Sequence, residues 1–151
     1  MSVMKKLVVV LLFFAAAVTK AQILEPVKWS TSVEKISKTE AYLVATATID
    51  EGWHLYSQDV PEGGPVATTF TYDDSSKKFK LVEGTVEEDG HVVDDKIFEM
   101  KIKYFDTKAV FKQKIRLAPN QKFTIKGSVE FMVCDDSRCL PPTTEELQFE
   151  L

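Results

Sequence analysis

Two cysteines are the residues of this chain whose type and spacing could do chemistry. Cys134 and Cys139 are its only cysteines, and they lie in the run Val-Cys-Asp-Asp-Ser-Arg-Cys-Leu-Pro-Pro from 133 to 142. Two thiols with four residues between them can form a short structural staple, exchange electrons with a partner's disulfide, or bind a metal ion. The surroundings of the pair bear on the choice between these uses.

A structural disulfide at this spacing would be weak. The two cysteines close a loop of about six residues, for which the chain-entropy model gives about 2 kcal/mol, whereas a long loop gives about 4 kcal/mol or more. The structural disulfide of an immunoglobulin domain instead joins two sheets across a long stretch of chain. A purely structural disulfide is therefore physically possible, but it would stabilise the fold only slightly.

The position of the pair favours thiol–disulfide exchange. An alternating strand that ends at Val133 runs directly into Cys134, and Pro141 and Pro142 stop the chain from continuing as a strand after Cys139. The pair is therefore predicted at a hairpin tip or strand end, where a partner's sulfur can reach it.

The charges beside the two cysteines differ. Asp135 and Asp136 follow Cys134 and disfavour its thiolate, whereas Arg138 adjoins Cys139 and favours its thiolate. We therefore expect Cys139 to be the attacking thiol and Cys134 to be the resolving thiol.

A metal site is the third use of paired cysteines. The further soft or imidazole donors are scattered, namely His54, His91, Met100 and Met132. Four intervening residues occur in some zinc patterns, but no second close pair of ligands is present. We expect no metal, and a periplasmic copper carrier that uses the thiols with His54 or His91 stays open as an alternative.

The N-terminus predicts export, which sets the redox compartment. Lys5 and Lys6 precede an unbroken apolar stretch over residues 7–18, and a small-residue cleavage site ends at Ala21. The stretch is shorter than the roughly 20 residues that span a bilayer and matches the h-region of a signal peptide. We expect residues 1–21 to be a cleaved signal peptide. Residues 22–151 are then an exported domain, most simply periplasmic, that does not span the membrane.

The charge of the mature chain argues against two classes of partner. Without the signal, 16 basic and 23 acidic residues remain, a net charge of −7. This balance argues against nucleic acid and against anionic membrane surfaces. About 130 residues suit one domain with one core. Nothing in the sequence requires an oligomer, so we expect a monomer.

Apolar and polar residues alternate along most of the mature chain, which is typical of half-buried strands. Alternation predicts strands over 27–33, 41–49, 53–57, 68–72, 79–87, 100–104, 111–117, 129–133 and 147–151. Turn sequences rich in Gly, Pro, Asp and Ser separate them. Eight or nine short strands in one domain predict an all-β fold, an antiparallel β-sandwich of immunoglobulin-like type.

Three segments resemble the N-terminal periplasmic domain of DsbD, the transmembrane thiol–disulfide interchange protein. The most specific is VEFMVCDDSRCLPP from 129 to 142, a strand followed by two close cysteines and a double proline. GWHLYS from 52 to 57 is similar to the family's Gly-aromatic-x-Leu-Tyr segment, and DDKIFE from 94 to 99 is similar to its acidic-aromatic cap loop. Well-known members have one more residue between the cysteines, so the geometry of the loop can differ.

The resemblance implies a sandwich whose cysteine pair carries reducing equivalents, a protein-disulfide reductase that needs no cofactor. Members accept electrons from a thioredoxin-like domain and pass them to oxidised periplasmic proteins. Here Cys139 would form the mixed disulfide with partners, and Cys134 would resolve it. The sequence lacks the family's membrane-spanning and thioredoxin-like domains. We therefore expect a separate thioredoxin-like electron donor, a membrane reductase of DsbD type.

The resemblance also assigns residues around the disulfide. Phe98, or else Ile97, would be the lid that shields it, with Asp95 in the same cap loop. Trp53 and Tyr56 would lie near the active site, as would Arg138 next to Cys139. From the residues alone, Phe98 is better explained as a core aromatic, and Trp53 and Tyr56 are equally well explained as core. An immunoglobulin-like binding module with a structural disulfide is the remaining alternative.

Overall fold

The computed structural model describes residues 22–151, which form antiparallel β-strands and contain no helix. Among these residues nothing helical is therefore available to cross a membrane. The predicted signal segment, residues 1–21, lies outside the described residues and stays a prediction. The strands are β1 Val27–Lys35, β2 Glu40–Ile49, β3 His54–Tyr56, β4 Thr69–Tyr72, β5 Phe79–Glu87, β6 His91–Asp95, β7 Met100–Phe105, β8 Lys108–Leu117, β9 Thr124–Phe131, β10 Val133–Cys134 and β11 Thr143–Glu150.

The strands pair into three sheets. The first sheet has four strands in the order β1-β2-β8-β5, and a three-stranded sheet has the order β11-β9-β4. The third sheet, called here the cysteine sheet, has the order β10-β3-β7-β6. β9 ends at Phe131 and the chain resumes as β10 after Met132. One stretch of chain therefore passes from the three-stranded sheet into the cysteine sheet.

The main core lies between the first sheet and the other two. Alternate residues of β2, from Ala41 to Ile49, point into it and are buried. Phe111 of β8 is almost fully buried against the rings of Trp29, Phe70 and Phe105. Burying such side chains stabilises the fold by about 1.5 to 3 kcal/mol each, which makes this layer the main source of stability.

The predicted all-β, immunoglobulin-like sandwich is confirmed. Most strand ends differ from the prediction by a few residues, and two strands differ in more than their ends. β6 was not predicted, because Val92 and Val93 are its only apolar residues and Val92 is exposed at the edge of the cysteine sheet. The predicted strand 129–133 is split at Met132, where the chain changes sheets. Neither difference disturbs the alternation, since Val129, Phe131 and Val133 all face the main core.

Substituting Phe111→Ala should lower the free energy of unfolding by about 3 to 5 kcal/mol, because it leaves a cavity among three aromatic rings. Urea unfolding followed by fluorescence measures this loss. Leu81→Ala is the matched control, since Leu81 is 40% exposed. A loss below about 1 kcal/mol for Phe111→Ala would contradict the assignment of the main core.

Candidate active site

The two cysteines form a disulfide across a tight hairpin at the edge of the cysteine sheet. Cys134 and Cys139 lie directly opposite each other as an antiparallel pair, with Cα atoms 4.0 Å apart. Main-chain bonds close the ladder on both sides: Asp135 N–H donates to Arg138 O at 2.9 Å, and Leu140 N–H donates to Val133 O at 2.9 Å. The hairpin is thus held by hydrogen bonds that do not depend on the disulfide.

The turn between the cysteines is organised by one carboxylate. Oδ1 of Asp135 accepts hydrogen bonds from the backbone N–H of Ser137 at 2.9 Å and of Arg138 at 2.8 Å. These backbone bonds hold the pKa of Asp135 below its usual value. This local pattern is an Asx-type turn, which explains why a short run of Asp, Ser and Arg reverses the chain here.

The two residues of β10, Val133 and Cys134, point to opposite faces of the cysteine sheet. Val133 pairs with Leu55 and Cys134 pairs with His54, and successive residues of a strand point to opposite faces. Val133 and Leu55 belong to the main core. Cys134 therefore emerges on the other face of the cysteine sheet, away from that core.

A second apolar cluster covers this outer face. Its buried members are Tyr56, Ile102 and Cys134, and the partly buried side chains packed against it are Val60, Phe98, Met100, Tyr104, Met132 and Cys139. Cys134 is fully buried in this cluster, whereas Cys139 is only partly buried. The two cysteines of one disulfide thus differ in their exposure to solvent.

The loop between β6 and β7 is fastened to this cluster by Asp95. The hydroxyl of Tyr56 donates to Oδ2 of Asp95 at 2.9 Å, and Oδ1 accepts from the backbone N–H of Ile97 at 2.8 Å and of Phe98 at 3.0 Å. The Phe98 ring meets Tyr56 edge to face, with centroids 6.0 Å apart. Ile97, in contrast, is 39% exposed.

A second loop, residues 60–65, approaches the same cluster closely. A Cβ on Gly64 would lie 2.8 Å from Cγ1 of Val60 and 3.2 Å from Sδ of Met100, so only glycine fits without displacement. Gly63 adopts a φ of 84°, which glycine tolerates at no steric cost. The two adjacent glycines thus allow the loop to lie against the methionine.

His54 lies beside the disulfide, although the sequence indicated it only as a scattered donor. Its ring stacks on Tyr104 with centroids 4.4 Å apart and meets Tyr56 edge to face at 5.6 Å. Burial lowers the pKa of His54 below its usual value, an effect that nearby aspartates partly oppose. The period of two in Gly-Trp-His-Leu-Tyr, with His54 and Tyr56 on one face, is the signal that could have identified it.

A cavity of about 150 Å³ separates His54 from the two acidic loops. It is lined by His54, Val93, Asp94, Asp95, Lys96, Ile97, Tyr104, Asp135 and Asp136. The cavity therefore joins the cap loop, the cysteine hairpin and β3, three segments far apart in sequence.

Trp53 and Arg138 pack against each other beside the hairpin. Trp53 packs against the main core, and the guanidinium of Arg138 lies 5.6 Å from the centroid of its ring. Nε of Arg138 also lies 3.4 Å from Asp135 Oδ2. Of the residues predicted around the disulfide, Tyr56, Asp95 and Phe98 contact the cluster with Cys134, whereas these two lie beside it.

Both histidine rings contact Tyr104, with ring centroids 4.4 Å away for His54 and 6.1 Å away for His91. His91 is exposed and pairs with Asp106 at 3.2 Å, whereas His54 faces the cysteine hairpin. Within residues 22–151 there is no group of three or more His, Cys, Asp or Glu side chains arranged to hold a metal ion.

Substituting Tyr56→Phe should lower the free energy of unfolding by about 1 to 3 kcal/mol at neutral pH, since the buried Asp95 loses a hydrogen-bond donor. Burial, and next the bond to Asp95, raises the pKa of Tyr56 above its usual 10.0. As the pH rises, Tyr56 therefore ionises in the unfolded chain before it does so in the folded protein, and the free energy of unfolding falls as the pH rises above 10. Urea unfolding at pH 7 and above pH 10 should show a shallower alkaline decline in the variant.

Tyr42→Phe is the matched control, because the ring of Tyr42 contacts Lys112 on the first sheet and is remote from Asp95. Equal unfolding free energies and alkaline slopes for the Tyr56 and Tyr42 variants would contradict the proposed anchoring by Asp95.

Two solved structures share the fold of this chain. The N-terminal domain of Neisseria meningitidis DsbD, in its reduced form, superimposes with a TM-score of 0.54 at 14% identity, covering 85% of this chain and 90% of that one. The N-terminal periplasmic domain of ScsB from Proteus mirabilis gives a TM-score of 0.54 at 16% identity, covering 83% of this chain. This chain spans 48% of the ScsB structure. No curated protein matches the sequence.

The sequence itself carries a more specific relationship than these structures. The family model described as the N-terminal domain of the thiol:disulfide interchange protein DsbD matches residues 20–151, which include every strand that the structure describes and both cysteines. Because this match covers most of the sequence, the chain belongs to the family of DsbD N-terminal domains.

Proposed function

We propose that this protein carries reducing equivalents from a thioredoxin-like donor to oxidised periplasmic proteins through Cys134 and Cys139. Membership of the DsbD N-terminal family supports a general role in thiol–disulfide exchange. The observation that carries the proposal is the asymmetry of the disulfide, in which Cys134 is fully buried and Cys139 is partly exposed.

This asymmetry supports an order for the two thiols. A partner's sulfur must approach in line with the bond that breaks, and of the two cysteines only Cys139 has any exposure to solvent. The reduced protein attacks a partner disulfide with the Cys139 thiolate, forming a mixed disulfide and releasing one partner thiolate. Cys134 then attacks Cys139 Sγ, which forms the intramolecular disulfide and releases the second partner thiolate. A dithiol donor runs these steps in reverse and restores the reduced protein.

The hairpin geometry argues against a purely structural disulfide. Two main-chain bonds and the Asp135 turn already close this loop, so a covalent link would add little to its order. In the chain-entropy model a disulfide that closes so short a loop stabilises the fold by only about 2 kcal/mol, which also argues against a purely structural role. A disulfide that contributes little to the fold can open and close without unfolding the domain.

The cap loop is proposed to act as a lid over the pair. Phe98 packs against the cluster that contains Cys134, and Asp95 fixes the backbone of Ile97 and Phe98. An exposed dithiol in an oxidising compartment would lose its electrons to any small oxidant. A packed aromatic ring that moves only when a partner docks would restrict exchange to proteins that fit the surrounding surface.

The periplasm is the proposed compartment, reached through cleavage of a signal peptide after Ala21. The periplasmic ScsB domain and the family match support this location. A thioredoxin-like partner is expected as donor, because the reaction requires a dithiol that can approach the partly exposed Cys139.

The order of the thiols is tested by trapping. Reduced Cys134→Ala treated with glutathione disulfide should retain a stable glutathione adduct on Cys139, detected by mass, because no resolving thiol remains. Cys139→Ala should form the adduct far more slowly, since Cys134 is buried. The wild-type pair should have a reduction potential of roughly −180 to −270 mV.

The matched control is the double variant Cys134→Ala/Cys139→Ala, which should remain folded and form no adduct. Equal adduct formation by the two single variants would overturn the order of attack. A potential well below about −300 mV would overturn the carrier function in favour of a structural disulfide in a binding module.

The lid is tested by Phe98→Ala, which should speed oxidation of the reduced pair by glutathione disulfide severalfold, because the ring no longer covers the cluster. Free thiols counted by alkylation and mass give the rate. Ile97→Ala is the neighbouring control and should leave the rate unchanged, since Ile97 is 39% exposed. An unchanged rate for Phe98→Ala would exclude its role as lid, and acceleration by Ile97→Ala alone would assign the lid to Ile97.

A further inference from the structure

The resolving thiol has a proton to lose and no direct route to water. Cys134 is fully buried among Tyr56, Ile102 and their neighbours. Burial among apolar and aromatic groups disfavours a thiolate, yet only the thiolate can attack the mixed disulfide. A group beside Cys134 must therefore accept its proton during the exchange described above.

His54 is the side chain directly across the sheet from Cys134. The two residues pair in register between β3 and β10, and directly opposite residues have Cβ atoms about 4.5 to 5.5 Å apart on the same face. Stacking on Tyr104 and the edge contact with Tyr56 fix the ring. The imidazole also lines the cavity of about 150 Å³ beside the cap loop, which gives it a path to solvent.

The other ionisable groups near Cys134 are poorly suited to take a proton. Asp95 uses both carboxylate oxygens for the hydroxyl of Tyr56 and two backbone N–H groups. Asp135 is committed to the hairpin turn, and those bonds lower its pKa. Burial raises the pKa of Tyr56 and of Tyr104, so both phenols keep their own protons.

We propose that His54 is the proton acceptor for Cys134 in the resolving step and the proton donor to it when the protein is recharged. This inference rests on the proposed exchange function. The Cys134 thiol gives its proton to the imidazole, and the thiolate attacks Cys139 Sγ. The Cys134–Cys139 bond forms as the bond from Cys139 to the partner breaks, and the partner leaves as a thiolate that is then protonated. On recharging, a donor thiolate attacks Cys139 Sγ and the Cys134–Cys139 bond breaks; the leaving Cys134 thiolate takes a proton from His54, which is itself protonated from solvent through the cavity.

The surroundings of His54 keep the ring neutral before it accepts a proton. Burial lowers its pKa below the usual 6.5, so at pH 7 one ring nitrogen is free to accept a proton. Once protonated, it is stabilised by the charges of Asp95, Asp136, Asp135 and Asp106. Asp94 and Lys96 also line the cavity and carry opposite charges.

The experiment separates the two steps. Fully reduced protein is mixed with 5,5′-dithiobis(2-nitrobenzoate), and thionitrobenzoate release is followed by stopped flow. The first release reports attack by Cys139 and the second reports resolution by Cys134, an assignment checked with Cys134→Ser, which should lose the second phase. His54→Phe retains an aromatic ring to stack on Tyr104 and should slow the second phase about tenfold or more at pH 7 while leaving the first unchanged.

The pH profile and chemical rescue distinguish proton transfer from a structural role. The second phase of the wild type should level off near neutral pH, whereas that of His54→Phe should keep rising with pH until the thiol ionises by itself. Free imidazole should restore the second phase of His54→Ala, which also covers the case in which phenylalanine crowds the site. His91→Phe is the control, because His91 also contacts Tyr104 and Asp106 but pairs in register with Tyr104 and not with Cys134, and it should retain the second phase of the wild type.

Two results would overturn the inference in distinguishable ways. If the wild type releases two equivalents and His54→Phe matches it in rate and pH profile, the role of His54 is wrong while the exchange function stands. If the reduced wild type releases only one equivalent, Cys134 does not resolve the mixed disulfide, and both the exchange function and the role of His54 are wrong.

Discussion

The site depends on the rule that a β-strand sends successive side chains to opposite faces. At the end of β9 and along β10, Phe131 and Val133 are locked into the main core. Met132 and Cys134 therefore project from the other face, where they meet the outer cluster. Residues of a close-packed core have little freedom to move. The backbone at Cys134 is therefore held in place by the packing of its neighbour Val133 in the main core. The hairpin that follows Cys134 brings Cys139 directly opposite it, and Cys139 is partly exposed to solvent.

Asp95 links this rigid sheet to the loop that covers it. A buried carboxylate is costly unless hydrogen bonds satisfy it, and here one oxygen accepts from Tyr56 while the other accepts from the backbone of Ile97 and Phe98. The rest of the cap loop is exposed, since Lys96, Ile97 and Glu99 face solvent. The loop is thus held by the hydrogen bonds of Asp95 and by the ring of Phe98, which are few contacts in comparison with those of the main core. An element held in this way can move while the sheet beneath it remains in place.

Local pattern was a good guide to the strands and a poorer guide to the neighbourhood of the disulfide. The predicted strand 79–87 matches the bounds of β5, although its alternation is interrupted by a bulge between Val82 and Val86. β6 was missed because an edge strand with few apolar residues carries no such pattern. Trp53 and Tyr56 were expected together near the disulfide, but they pack on opposite sides of the cysteine sheet. The same alternation that predicted their strand, applied residue by residue, separates Trp53 from His54 and Tyr56.

The sequence by itself determined the chemistry available to this protein and its fold class. Two cysteines ahead of a double proline, and a period of two along most of the chain, are local features that need no partner to be recognised. Only the tertiary structure decided which sulfur is accessible and what surrounds the other. Tyr56 and Asp95 are 39 residues apart in sequence yet share a hydrogen bond, and His54 meets Cys134 only through the register of β3 and β10. Register is set by packing and turn geometry across the whole sandwich, so no local pattern reveals it.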